Sequence, residues 1–223
     1  IAIFAFFNLL EKKTKTLDEQ GIRDIAGYLR STAQATFKLL ENLLQWAMSE
    51  GGAIVYNPQS VNMAELMSDV CEILQAVAQK KSIQIECNIE KDLHCFVDLN
   101  MMLSVFQNLI SNALKFTPNG GQIYISALTQ NGQVEITVRD TGVGMSDESF
   151  QNFNQRKQIR SEKGTDGEKG SGLGLLLCLQ FIEKNRGNVQ VTTQKGEGTI
   201  FTICLPIDQT HLPSINHELR MIG

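Results

Sequence analysis

Four short segments, rich in asparagine and glycine and set in a fixed order, constrain what this chain can fold into more than any other feature. They are residues 108–117 (NLISNALKFT), 140–145 (DTGVGM), 170–175 (GSGLGL) and 196–202 (GEGTIFT). Apolar residues at helical or strand-like spacing flank each of them. The four segments therefore stand where helices and strands begin or end, and such junctions are where ligand-binding residues collect.

The first segment places two amides on one face of a helix. Asn108 and Asn112 are one helical turn apart, so both can address the same ligand. An amide oxygen is a hard, neutral ligand suited to Mg²⁺, which takes the rest of its shell from waters and phosphates. Lys115, on the next turn, could place a positive charge on a phosphate. The alternative is a polar helix edge with a solvated lysine.

The second segment predicts a binding site for a nucleobase. Asp140 ends a strand, and Gly142 and Gly144 lack a Cβ, so the backbone can approach a ligand closely. A carboxylate only accepts hydrogen bonds, so it suits the adenine amino group and opposes the guanine carbonyl. We expect ATP to be preferred over GTP by roughly ten- to a hundredfold. An ordinary turn is the alternative, whereas an EF-hand would need Asp or Asn at positions 142 and 144.

The third segment opens a helix, where free backbone N–H groups and the positive end of the helix dipole attract phosphate. A dinucleotide-binding turn is excluded because residue 175 is leucine and no strand precedes the segment, and a Walker loop is absent. The polar residues 154–169 before it are expected to form a mobile lid. The predicted nucleotide-binding residues here are Gly170, Gly172, Leu173 and Gly174.

Together the four segments resemble, in order and spacing, the N, G1, G2 and G3 boxes of the sensor histidine kinases, which belong to the superfamily of gyrase, Hsp90 and MutL. The resemblance implies that ATP binds with Mg²⁺ and that Asn112 ligates the metal. It also implies that Thr199 supports adenine binding through water, although a β-branched strand residue is the plain alternative. Phe150 and Phe153 resemble the F box of the family, or are two core phenylalanines.

Apolar periodicity predicts an α+β fold after an N-terminal helical region. A heptad seam runs through positions 22, 25, 29, 39, 43 and 46 and predicts an antiparallel helical hairpin, which buries its seam by forming a four-helix bundle with a second copy. We therefore expect a homodimer. After a linker near residues 51–58, Asn62 and Glu65 form a capping box.

The expected second unit is an α/β sandwich, a mixed sheet covered by helices on one face. Helices are predicted at about 62–80, 99–116 and 171–185, and strands at 83–89, 123–128, 134–138, 188–193 and 199–205. Asn131-Gly132 and Gly196-Glu197-Gly198 mark the turns of two hairpins. The predicted domains are a dimerisation and phosphotransfer hairpin at 1–57, a catalytic ATP-binding domain at 58–207 and a tail at 208–223.

The histidines raise a separate question, because a histidine kinase needs a phosphoacceptor histidine on its first bundle helix. None of His94, His211 and His217 lies there, and we expect the acceptor just before Ile1. His217 to Arg220 (HELR) imitates an acceptor motif but follows the catalytic region, so a tail or linker helix is the alternative. The apolar residues 1–10 reach only about half of a membrane span, so any membrane anchor is expected upstream.

Charge and cysteine content narrow the function further. With 20 basic and 24 acidic side chains, the net charge of −4 gives no basic footprint for nucleic acid. The five cysteines contain no CxxC pair and are expected to be reduced thiols in the cytoplasm.

The resemblance implies an enzyme that transfers the γ-phosphoryl of Mg-ATP to a histidine of the bundle, for relay to an aspartate of a response-regulator receiver domain. The first alternative is a nucleotide-responsive docking module without phosphotransfer. The second is an ATPase or protein-serine kinase of the same superfamily, against which the heptad hairpin argues.

Overall fold

A computed structural model describes residue 27 and residues 56–130, 132–157, 162–168 and 172–208. The predicted helical hairpin and its bundle therefore lie almost wholly outside the described residues, as does the tail after residue 208. The described residues form a mixed sheet packed against helices, which confirms the α/β sandwich. No described helix is both long enough and apolar enough to cross a membrane.

Four helices and seven strands make up the described residues. In chain order they are β1 (Gln59–Asn62), α1 (Met63–Lys80), β2 (Gln84–Asn88), β3 (His94–Val97), α2 (Leu99–Phe116), β4 (Gln122–Gln130), β5 (Gln133–Asp140), α3 (Asp147–Asn154), α4 (Gly174–Lys184), β6 (Asn188–Gln194) and β7 (Gly198–Pro206). The helices and strands predicted between residues 62 and 205 all occur. β1, β3 and α3 were not predicted, because they have only four, four and eight residues.

The main sheet has five strands in the order β2-β4-β5-β7-β6. β2 runs parallel to β4, and every other pair is antiparallel, so the sheet is mixed as expected. β1 and β3 form a separate antiparallel pair. Because β5 and β7 are neighbours in the sheet but distant in the chain, α3, the predicted lid, α4 and β6 are all inserted between them.

Alternation along the strands sends one set of side chains under the helices. On β5 the residues Val134, Ile136 and Val138 are at most 1% exposed, while the intervening residues face away from the core. The edge strand β2 is less covered, since Ile85 is only half-buried and Cys87 is exposed. The helices complete this core from above, and the fully buried side chains of α2 include Met102, Val105, Phe106 and Ile110.

Side-chain caps start three of the four described helices, and Ser146 caps α3 by accepting from Ser149 N at 3.2 Å. The Asn62 Oδ1 atom accepts hydrogen bonds from the N–H groups of Ala64 at 2.9 Å and Glu65 at 3.1 Å, which confirms the predicted start of α1. Asp98 caps α2 by accepting from Met101 N at 3.0 Å. These caps fix where α2 runs, and α2 carries the first of the four segments to the end of β5.

Candidate functional site

Asp140 lies at the end of β5 and is only 6% exposed. Its Oδ1 atom accepts hydrogen bonds from Gly142 N at 2.8 Å and from Thr199 N at 3.2 Å. Burial raises the pKa of the Asp140 carboxyl, and these two N–H groups partly offset the shift. One carboxylate oxygen is thus pinned by the backbone. The Oδ2 atom has no hydrogen-bond donor among the described residues and can serve a ligand.

The glycines after Asp140 are required by close backbone packing. A Cβ on Gly142 would lie 2.5 Å from the carbonyl oxygen of Phe116, at the end of α2. Gly144 has φ +73°, and a Cβ there would lie 2.4 Å from the carbonyl oxygen of Gln194. Val143 N also donates to Phe116 O at 3.1 Å. The loop after β5 is therefore wedged between the end of α2 and the β6–β7 turn.

A pair of threonine hydroxyls stands beside Asp140. The Oγ1 atoms of Thr193 and Thr199, which face each other across β6 and β7, are 3.1 Å apart. Thr193 Oγ1 also accepts from Met145 N at 2.8 Å. Thr199 was predicted as a site residue, and its buried side chain lies next to the aspartate. Thr193 was missed, although its position opposite Thr199 in a predicted hairpin could have indicated it.

The two asparagines of α2 are placed differently. Asn108 Nδ2 donates to Ser104 O at 2.9 Å, and its Oδ1 lies 2.9 Å from where a Cβ on Gly174 would stand. This contact brings α2 against the first turn of α4. Asn112 is half-buried, and its amide makes no hydrogen bond to any residue in the described part of the chain. Its oxygen is therefore available to a cation.

The start of α4 has the backbone donors that an anion needs. The helix begins at Gly174, and its N-cap residue is Leu173. The leucine side chain cannot accept a hydrogen bond from the first N–H groups of the helix. Gly172 takes φ +73°, a conformation that glycine adopts without strain. Gly170 lies outside the described residues.

Lys115 lies at the end of α2 next to the predicted lid. Its Nζ donates to Glu162 O at 2.7 Å and stands 4.5 Å from the centre of the Phe116 ring. Burial lowers the pKa of the Lys115 ammonium, and the nearby Glu168 and Glu162 oppose that shift. Of the ammonium's three N–H donors, this leaves two for another acceptor.

Comparison with known proteins agrees with this arrangement. A family described as the histidine kinase-, DNA gyrase B- and HSP90-like ATPases matches residues 97–209, which include α2, α4 and every strand from β4 to β7. The chain belongs to this ATPase family. Its relatives include the cell-division control histidine kinase PdhS of Brucella abortus, 28% identical over 216 residues, which are 92% of this chain and 21% of that protein. The described residues form a catalytic ATP-binding domain of the histidine-kinase type.

One such relative is the adaptive-response sensory kinase SasA of Prochlorococcus marinus, 29% identical over 209 residues, which are 90% of this chain and 55% of that protein. Sporulation kinase E of Bacillus subtilis is 31% identical over 169 residues, 74% of this chain and 22% of that protein. The chain thus spans about half, or less, of the length of these relatives.

Two solved structures share the fold. Full-length ShkA in complex with AMPPNP has a TM-score of 0.67 and 24% identity, over 87% of this chain and 40% of that one. ThkA in complex with the response regulator TrrA has a TM-score of 0.70 and 17% identity, over 92% of this chain and 57% of that one.

Within this ATPase domain, the predicted site residues form two groups. The first joins Asp140, Gly142, Gly144 and Thr199 around one carboxylate. The second runs along α2 to the start of α4 and contains Asn108, Asn112, Lys115, Gly172, Leu173 and Gly174. The Phe116 carbonyl, which contacts the loop after Asp140, connects the two groups.

The two F-box candidates of this ATPase domain differ in burial. Phe153 is 4% exposed, and its ring meets that of Phe201 edge-on, with centroids 5.7 Å apart, so it is a core phenylalanine. Phe150 is half-buried on α3. Phe153 therefore anchors α3, and with it the start of the predicted lid, to the sheet.

Proposed function

We propose that this chain is the cytoplasmic part of a sensor histidine kinase, which binds Mg-ATP and transfers its γ-phosphoryl group to a histidine of a dimerisation bundle. The observation that carries the proposal is the buried Asp140 carboxylate, with one oxygen held by two backbone N–H groups and the other left for a donor. An adenine amino group is such a donor, and a guanine carbonyl is not.

The phosphate end of the proposed site uses the second group of residues. Asn112 would ligate Mg²⁺ through its amide oxygen, and the cation would supply charge neutralisation at the phosphates. Asn108, one turn before it on α2, is the second amide of this group and contacts the start of α4. The amide of Asn112, which has no hydrogen bond to the described residues, and the absence of a side-chain cap at the start of α4 fit this assignment. Lys115 donates to a phosphate oxygen, and the N–H groups near Gly170, Gly172 and Gly174 donate to other phosphate oxygens.

The chemistry left to the protein is positioning. A nitrogen of the acceptor imidazole forms a bond to the γ-phosphorus as the bond to the bridging oxygen breaks, and ADP leaves. We place the acceptor on a helix that precedes Ile1 and continues into the hairpin of residues 1–57, paired with that of a second copy in a homodimer. Residues 58–207 form the catalytic domain, and residues 208–223 form a tail.

The phosphoryl group then passes to an aspartate of a response-regulator receiver domain. ThkA, which shares the fold, was solved in complex with a response regulator, and ShkA was solved with an ATP analogue. The ThkA complex supports the proposed partner, and the ShkA complex supports the proposed nucleotide.

The proposal is tested in two steps. First, Mg²⁺ with AMPPNP is titrated into the chain by calorimetry, with the matching GTP analogue as control; saturable binding of the adenine nucleotide alone is expected. Second, the parent protein that includes the upstream helix is incubated with γ-labelled ATP, and acid-labile, base-stable label is expected on a histidine. Nucleotide binding without labelled histidine would instead favour a docking module that responds to nucleotide without phosphotransfer. Absence of nucleotide binding would refute the proposal.

A further inference from the structure

Lys81, the residue that follows α1, is a buried lysine that the sequence reasoning overlooked. Its side chain is 3% exposed. The ammonium donates to Leu114 O at 2.8 Å and to Lys115 O at 3.3 Å, two carbonyl groups in the last turn of α2. Positive charge is favourable at this end of a helix, because the carbonyl dipoles point toward it.

The other acceptors of Lys81 belong to residues 162–168, here called the lid turn. Thr165 Oγ1 accepts from the ammonium at 2.7 Å, and Glu168 Oε1 accepts at 3.1 Å in an ion pair. The burial of the lysine is thus compensated by one full charge and three neutral oxygens. Lys81 joins the end of α2 to two residues of the lid turn, which lie 84 and 87 residues after Lys81 in the chain.

The lid turn has no apolar residue that could hold it by hydrophobic burial, since its sequence is EKGTDGE. Its attachment rests on polar contacts instead. Besides Lys81, the Thr165 N–H donates to Lys115 O at 3.0 Å, and the Glu162 carboxylate accepts from the hydroxyls of Ser146 at 2.7 Å and Ser149 at 2.5 Å. Loss of the Lys81 ammonium would remove its contacts with Thr165 and Glu168 at once.

The lid turn in its turn controls Lys115. The Lys115 ammonium donates one hydrogen bond to the Glu162 carbonyl oxygen, and a Cβ on Gly164 would lie 2.6 Å from Lys115 Cγ. The stem and the head of Lys115 are therefore both in contact with the lid turn. Where the lid turn sits decides where that ammonium points.

We propose that Lys81 is a positioning residue for nucleotide phosphate: through Thr165 and Glu168 it docks the lid turn on α2, and the docked lid turn orients the Lys115 ammonium. This inference rests on the proposed function, which gives Lys115 its phosphate. Lys81 itself acts only through the lid turn and Lys115.

Lys81→Met and Glu168→Gln test the inference, with Lys80→Met and Glu65→Gln as matched controls on exposed side chains of α1. Glu168→Gln leaves the core contacts of Lys81 in place, so it stays informative if Lys81→Met folds poorly. We measure the Kd of Mg-AMPPNP and of adenosine for each variant of the full chain. Since each lost hydrogen bond is worth about two- to tenfold, we expect AMPPNP binding to weaken about tenfold in Lys81→Met and about threefold in Glu168→Gln.

Adenosine binding separates positioning from general damage, because adenosine has no phosphate to meet Lys115. It should stay within twofold in both variants, and the double variant should lose no more than Lys81→Met alone. Hydrogen exchange should show faster exchange at the amides of Gly164 and Thr165, which donate to Glu168 O and Lys115 O. Unchanged AMPPNP affinity in Lys81→Met and Glu168→Gln, or equal losses for adenosine, would overturn the inference. Failure of the unmutated chain to bind AMPPNP would overturn the proposed function instead.

Discussion

Replacement of Asp140 by asparagine should separate nucleotide recognition from folding. The asparagine Oδ1 can accept the same hydrogen bonds from Gly142 N and Thr199 N, so the loop after β5 keeps its anchor. At the other position, however, an NH₂ group replaces the free carboxylate oxygen. The adenine amino group then meets a donor where it needs an acceptor.

The expected loss follows from that exchange. A hydrogen bond to a charged group contributes about 1.5–3 kcal/mol, so Mg-AMPPNP should bind about 10- to 150-fold more weakly. The introduced NH₂ suits the carbonyl of guanine, so the preference for adenine over guanine nucleotides should narrow. Isothermal titration calorimetry with both analogues measures these changes, and Asp69→Asn, on the exposed face of α1, controls for the lost charge.

The stability of the nucleotide-free chain should move in the opposite direction. Because burial raises the pKa of Asp140, its ionised form destabilises the folded state at neutral pH relative to the neutral form. The free energy of unfolding of Asp140→Asn, from urea denaturation without nucleotide, should therefore equal or exceed that of the unmutated chain. Nucleotide affinity within threefold of the original, or a loss of more than about 1 kcal/mol in stability, would refute the assignment of Asp140 to adenine rather than to structure.

Three further outcomes are expected. Because burial raises the pKa of Asp140, the carboxylate should take up a proton at a higher pH than an ordinary aspartate does, and AMPPNP binding should weaken there. The Kd of AMPPNP, measured from pH 8 to 5, should show this weakening, and Asp140→Asn should not show it. Gly142→Ala would press a methyl group against Phe116 O, so we expect both AMPPNP binding and thermal stability to fall; normal values for both would contradict the close packing seen there. Thr117→Val removes a buried hydroxyl that has no partner among the described residues, so urea denaturation should show about 1 kcal/mol more stability, whereas a decrease would mean that the hydroxyl is hydrogen-bonded.

How much could be read from the sequence depends on the range of each interaction. The cap residue Asn62 predicted the start of α1, and the apolar spacing of residues 99–116 predicted α2, because caps and helical periodicity are local signals. β1 and β3 could not be predicted, because four residues carry too little periodicity to distinguish a strand from a loop.

The site shows the same division. The combination of Asp140 with Gly142 and Gly144 could be recognised in the sequence, since the three residues lie within a few positions of one another. Lys81 stood in a Lys-Lys dipeptide that looks like any solvated helix end, and only the contacts with Thr165 and Glu168 bury it. Thr193 likewise gains its role from Met145 and Thr199, which lie in other strands and loops. Interactions of this kind depend on the tertiary fold and leave no local pattern.

The lid turn lies between two helices that each have their own attachment to the domain. Phe153 fixes α3 to the sheet, and Asn108 packs against the first turn of α4. The chain that joins these helices can therefore be lengthened cheaply, since each doubling of a loop costs only about 0.6 kcal/mol of closure entropy. A fluorescent protein spliced between Lys157 and Glu162 would stand directly before the lid turn, which contacts Lys115, and away from the adenine site proposed at Asp140. Under the proposed function, the domain is therefore a scaffold for a genetically encoded ATP sensor.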